Sequence, residues 1–214
     1  MAATMRVLAR SPTATRGRLA WGGVTVACAL GAGGRRARKR EGDGATPIGR
    51  WRLCQVFYRA DRMPRPRTSL PVRPLNRWDG WCDAVGDRNY NRWVRHPYPA
   101  SAEKLWRSDR LYDLLVTLDH NTRPRIQGHG SAIFMHVAGS GYPATAGCVA
   151  VERAHLLRLL AKAHRGSLLV VAGSRCKKRP EPELRALRAR TGKSCSRKAA
   201  GPVERRSRRN TGAT

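Results

Sequence analysis

Acidic residues are scarce in this chain: 14 Asp and Glu stand against 43 Lys and Arg in 214 residues, a formal net charge of +29. That imbalance excludes a charge-neutral surface and turns attention to polyanions, nucleic acid among them. The usual nucleic-acid signatures are absent too. There is no zinc-knuckle spacing and no RNA-binding sheet motif, and the cations, 36 of them Arg, are spread along the chain. An Arg bias of this kind also arises from coding composition, so polyanion affinity reads as a surface property. No hydrophobic run is long and unbroken enough to span a bilayer. The six cysteines (Cys28, Cys54, Cys82, Cys148, Cys176, Cys195) form no C-x-x-C pair and no structural-zinc spacing, so neither a metal nor a cofactor is expected. Spacing settles no disulfide: Cys54 and Cys82 flank one region, and buried free thiols are the simpler expectation.

What the chain does contain is a series of short apolar runs separated by turns. Met5 to Ala9 reads as a strand. Leu19 to Ala29 follows Arg6, Arg10, Arg16 and Arg18 and ends in Ala27-Cys28-Ala29, which mimics a secretion signal. Gly22-Gly23 nevertheless breaks it where a hairpin would turn, and the residues from Val24 alternate as a half-buried strand does. A hairpin inside the domain is expected, and no clear signal peptide. Gly31 to Gly49, with Arg35, Arg36, Arg38, Lys39 and Arg40, reads as a cationic surface loop, and Trp51 to Tyr58 as a strand. Residues 59 to 99 carry Pro64, Pro66, Pro71, Pro74, Pro97 and Pro99, which block regular ladders. The aromatics Trp78, Trp81, Tyr90 and Trp93 argue for order there, in a packed loop region that walls a cleft or fills a satellite core.

Ser101 to Trp106 predicts a short helix with Ser101 as its N-cap. Leu111 to Leu118 predicts a strand and Asn121 to Gly130 a turn-rich link. Leu156, Leu157, Leu159 and Leu160 recur at helical spacing within Glu152 to His164, with Gly166 as the stop, and Ser167 to Ala172 forms a last strand. Residues 174 to 214 hold fourteen Lys and Arg against three Asp and Glu, the composition of a disordered tail with a transient helix around Leu184 to Arg190. The sum is a mainly β domain over residues 1-173, a sheet sandwich or partly closed barrel with a short helix, followed by a basic tail, 174-214.

Chemistry concentrates between Ile133 and Val151. Ile133 to Met135 delivers His136; a Gly/Pro/Ser loop follows; Thr145-Ala146-Gly147-Cys148 then enters a second apolar run, Val149 to Val151. Two strands would hold an imidazole and a thiol at the ends of one loop. A thiol needs a nearby base to become a nucleophile at neutral pH, and an imidazole is suited to that. Gly147 lets the backbone turn sharply before the sulfur, so that the amides of Gly147 and Cys148 could face an oxyanion, with Thr145 beside them as a positioning residue. Taken singly, a buried Cys and a core His are the commoner roles; their coincidence in one window points to catalysis. No carboxylate in the motif is placed to orient His136. His129, between two glycines, is the second acid/base candidate but suits a solvated loop, and His120, His155 and His164 are assigned to the surface.

These residues resemble the active-site signature of the L,D-transpeptidase catalytic domain family (YkuD-type), in which an apolar strand ends in His and a Ser/Thr-x-Gly-Cys follows. Thr46-Pro47-Ile48-Gly49 is similar to the family's Thr-Pro-x-Gly stretch, and Gly80-Trp-Cys-Asp83, Tyr90-Asn91 and Leu111 to Leu115 resemble one of its branches. The chain departs from the common pattern at Ala146, where many members carry a second His, at Ala150, where many carry Arg or Asn, and in a shorter His-to-Cys loop. The resemblance implies a β-rich domain with the Cys in a cleft and peptidoglycan stem peptides as partners. It implies a reaction in which the Cys148 thiolate attacks the carbonyl of a diamino acid, expels D-Ala, and passes the acyl group from a thioester to an amine. His136 would be its base and acid. A location in the cell envelope or periplasm follows from that substrate, where a basic tail would also meet an anionic wall. A thiol peptidase or amidase and a basic nucleic-acid-binding protein are the competing classes.

Overall fold

The structure, a computed structural model, describes residues 4–173; the basic tail and its expected helix lie outside the described residues. The order of elements is β1 (Thr4–Leu8), β2 (Arg16–Trp21), β3 (Val24–Ala29), β4 (Arg35–Arg36), β5 (Thr46–Pro47) and β6 (Gly49–Tyr58). Next come β7 (Val72–Pro74), β8 (Asp79–Cys82), β9 (Trp93–Arg95), β10 (Ala102–Lys104) and β11 (Leu114–Leu118). The last are β12 (Phe134–Val137), β13 (Val149–Val151), α1 (Arg153–Leu160) and β14 (Leu168–Val171). The main sheet runs β11-β12-β13-β3-β2-β1-β14-β6, and β6 returns to pair with β11, closing the sheet into a barrel; β7 adds to β6 in parallel. Of the two expected architectures the barrel is the one formed, with one short helix.

Local sequence explains most of this. Gly22 and Gly23 have φ of 48° and 82°, the positive pair a type I′ turn needs, so β2 and β3 form a tight hairpin whose register pairs Trp21 with Val24. Met5, Val7, Leu19, Val26, Leu53, Val56, Leu114, Val116, Met135, Val149 and Val151 point into one continuous core, following the two-residue period of strands. Helix α1 buries Leu156, Leu159 and Leu160 against it, each contributing about 1.5–3 kcal/mol by burial.

Five local expectations are corrected. Ser101 to Trp106 is not helical: Ala102–Lys104 pairs antiparallel with β8, because pairing with an open strand edge outweighs the helix propensity of Ala-Glu-Lys over so short a stretch. The strand expected from Leu111 starts only at Leu114, and residues 111–113 form a turn. The cationic loop is not all surface. Arg35 is buried and donates to the carbonyls of Ser11 (3.0 Å), Ala9 and Ala172, while Lys39 is buried in an ion pair with Asp43 at 2.5 Å. His120 is buried, its ring edge-on to Trp51 with centroids 4.7 Å apart. Cys28, Cys82 and Cys148 are buried free thiols as expected, but Cys54 is exposed. Within residues 59 to 99, three short strands interrupt the loops; Tyr90 is fully buried while Trp78 and Trp93 are exposed. Among the described residues no helix is long and apolar enough to cross a membrane.

Candidate functional site

Strands β12 and β13 are parallel neighbours, with Met135 opposite Val149 and His136 opposite Ala150. Cys148 precedes that ladder by one residue, so it sits across from Phe134, whose amide donates to Cys148 Sγ at 3.3 Å. Side chains two apart on a strand share a face. Cys148 and His136 are therefore diagonal neighbours on one face, a step of roughly 7–8 Å between backbones. Both line a cavity of about 430 Å³, together with Thr145, Tyr112, Glu103, Arg107 and Ala150.

The turn before the sulfur is tightly specified. Gly147 has φ 134°, and a Cβ there would come within 2.8 Å of the Ala45 carbonyl oxygen, so no other residue fits without displacing backbone. Thr145 Oγ1 accepts from the Gly147 amide at 3.1 Å and donates to the Cys148 carbonyl at 2.7 Å, a staple across the turn. Its backbone is tied in the same way, Thr145 N to Leu30 O at 2.9 Å and Ala32 N to Thr145 O at 2.8 Å. The start of the Thr-Pro stretch packs behind this turn: the Ala45 carbonyl lies against Gly147, and Thr46 Oγ1 accepts from the Gly31 amide at 2.8 Å.

His136 is oriented by the backbone. Its Nδ1 lies 2.9 Å from the Val137 carbonyl, which can only accept, so Nδ1 carries the proton and Nε2 keeps a lone pair. The Tyr112 ring packs edge-on against the imidazole, centroids 5.1 Å apart. Tyr112 can do so because Leu111–Asp113 turns before β11 begins. The sulfur lies 3.3 Å from the Ala132 carbonyl, which accepts the thiol proton. Ala132 takes φ 51°, and its amide is held by Asn91 Oδ1 at 3.2 Å. Asn91, 4% exposed, also accepts from Trp81 Nε1 (2.9 Å) and donates to the carbonyls of His120 (3.1 Å) and Asn121 (2.8 Å). This saturated buried amide ties three segments together behind the sulfur.

Burial dominates the ionisation of both groups. It pushes the His136 imidazole down to about 4, only partly offset by the bond to Val137, and pushes the Cys148 thiol up to about 12, with the Glu103 charge adding to the effect. At rest the pair is neutral thiol and neutral imidazole, so the proton must leave the sulfur as the sulfur attacks. The same burial links stability to pH. The unfolded imidazole takes up a proton below its ordinary pKa while the folded one resists until about 4. Stability is therefore full above about 6.5 and falls by roughly 3 kcal/mol as pH drops toward 4. Urea unfolding at pH 7.5 and pH 4.5 should show this loss for the natural chain and a smaller one for His136→Gln; equal losses would contradict it.

Of the sequence candidates, Cys148, His136, Thr145 and Gly147 come together. His129 stays exposed in its loop and lines a different hollow, beside His120, Arg38 and Trp51. Sequence reasoning missed Tyr112, Glu103 and Asn91 as members of the site; only the tyrosine and asparagine fell in stretches already marked by resemblance. Among the described residues no three His, Cys, Asp or Glu side chains cluster so as to hold a metal ion.

Residues 7–171 match the family model described as the L,D-transpeptidase catalytic domain, YkuD. Among solved structures the chain is similar to L,D-transpeptidase 1 of Mycobacterium tuberculosis, with 14% identity and a TM-score of 0.32 over 80% of this chain and 63% of that one. The chain therefore spans less than two thirds of that protein's length. No curated protein matches it significantly.

Proposed function

Because the chain belongs to the L,D-transpeptidase catalytic domain family, we propose that it is a cysteine-dependent acyltransferase of peptidoglycan, working through a Cys148 thioester. The observation that carries this reading is the shared face of β12 and β13, where Cys148 and His136 open into one cavity.

A stem-peptide carbonyl enters the cavity beside the sulfur. His136 Nε2 takes the thiol proton as the S–C bond forms, and the carbonyl oxygen becomes an oxyanion. Since the Gly147 amide is spent on Thr145 Oγ1, the expected pair of oxyanion donors narrows to the Cys148 amide. Losing such a donor typically costs on the order of 10²–10³ in rate. The intermediate collapses by breaking the C–N bond; the imidazolium returns its proton to the departing D-Ala amine, leaving the thioester. An acceptor amine then attacks the thioester, His136 takes its proton, and the proton passes to the sulfur as it leaves. Ala146 and Ala150, small where relatives carry longer side chains, leave the space beside the sulfur to the substrate.

The family match ends at Val171, which fits a catalytic domain in residues 1-173 with the basic 174-214 segment appended. The substrate places the reaction in the cell envelope, where the tail would contact an anionic polymer. Incubating the protein with a stem tetrapeptide, with and without an amine acceptor, tests the reading. A cross-linked product and free D-Ala are expected with acceptor present, together with a single carbapenem adduct on Cys148 by intact mass. Hydrolysis alone, unchanged by the acceptor, would make the protein a thiol peptidase, and no adduct on folded protein would remove Cys148 from the chemistry.

A further inference from the structure

The cavity beside Cys148 opposes the charge of the rest of the chain. Glu41, Asp83 and Glu103 line it, and among the described residues Arg107 is its one Arg and no Lys lines it, in a sequence where Lys and Arg outnumber Asp and Glu by 43 to 14. Two of the acids are built into one small sheet. Pairing of β8 with β10 sets Trp81 opposite Glu103, and the Asp83 amide continues the ladder to the Ser101 carbonyl at 3.3 Å. Asp83 therefore shares a face with Glu103, one diagonal step away.

Carboxylates so placed repel each other unless a cation lies between them. Arg107 does not fill that role: it is 4.0 Å from Glu103, while its guanidinium is turned onto Asp109, Nε lying 3.0 Å from both carboxylate oxygens. Burial and the nearby charge of Asp83 hold the Glu103 carboxyl above its ordinary value. Two acceptors on this cavity also stand unused. Asp83 Oδ1 is buried without a partner, and so is Ser131 Oγ, on a side chain only 6% exposed.

An alkylammonium group has three donors and no acceptor, the complement of such a wall. We propose that Asp83 and Glu103 form a subsite for a primary ammonium group on the acyl donor, with Ser131 Oγ as a further acceptor in the same cavity. The side-chain amine of a diamino acid adjoining the scissile carbonyl is a group of this class. The inference rests on the transferase reading and adds the feature by which the donor is chosen. A neutral side chain in that position would leave both carboxylates uncompensated.

The test uses the full-length protein and two synthetic stem tetrapeptides that differ only in whether the diamino-acid side-chain amine is free or acetylated. D-Ala release gives kcat/KM, and intact mass reads the thioester. The natural chain should prefer the free amine by about 10- to 100-fold, the worth of a charge-assisted contact. Asp83→Asn and Glu103→Gln should each cut that preference about tenfold. Glu103 also accepts the Tyr112 hydroxyl at 2.5 Å, so Glu103→Gln could act through His136, in which case both donors would slow equally. Asp83→Asn leaves that contact alone. An unchanged preference in Asp83→Asn, or no preference in the natural chain, overturns the subsite while leaving the transferase standing. If neither donor forms a thioester on the natural chain, the transferase reading falls and the subsite with it.

Discussion

Cys148→Ala is expected to abolish both thioester formation and cross-linking, a fall on the order of 10⁴-fold or more, since among the described residues no other thiol lines the cavity. Of the other thiols among the described residues, Cys28 and Cys82 are buried elsewhere and Cys54 faces solvent. The substitution is mild for the fold. It removes one sulfur, the Phe134 amide contact and the Ala132 contact, at a cost of about 1–2 kcal/mol, so the variant should unfold cooperatively and close to the natural chain. A variant that unfolds normally yet still cross-links would refute the mechanism.

His136→Gln should lower kcat/KM by about 10²–10⁴, and the pH profile should change shape as well as height. With the imidazole neutral above about 4, the natural chain should be insensitive to pH across the neutral range. The variant can still donate a hydrogen bond to Val137 but has no base. Its rate must then follow spontaneous ionisation of a thiol held up to about 12, climbing about tenfold per unit through pH 8 to 10. Iodoacetamide labelling of Cys148 offers a second readout. Parallel profiles for the two proteins would show that His136 does not take the proton.

The paired strands around the nucleophile were legible because the signal is local: three or four apolar residues, a glycine-rich loop, and Gly-Cys. The β2–β3 hairpin was legible for the same reason, its Gly22-Gly23 turn outweighing the resemblance to a secretion signal. What sequence could not show is carried by pairing across distance. Ala-Glu-Lys at 102–104 looks helical in isolation; only the open edge of β8 makes it a strand, and only that pairing brings Glu103 to Asp83 and both to the sulfur. Proline spacing hid the strands in residues 59 to 99. Nothing in Gly-rich, Arg-rich residues 31–49 announced that Arg35 would reach three carbonyls or that Lys39 would be buried by Asp43. Nor does local sequence reveal the burial of His120, because its neighbours, Trp51 and the His129 carbonyl, arrive from other segments.

The parallel pairing of β1 with β14, Thr4 beside Leu168 through Val7 beside Val171, sets the order of events during synthesis. A ribosome releases β1 first and β14 last, so the ring stays open until nearly all of residues 4–171 have emerged. Until then β1 and β6 each present a bare edge, the kind of surface on which nascent chains associate. Every residue lining the groove around Cys148 precedes β14 in the chain, so what waits for the last strand is closure of the ring and the shielding of those two edges.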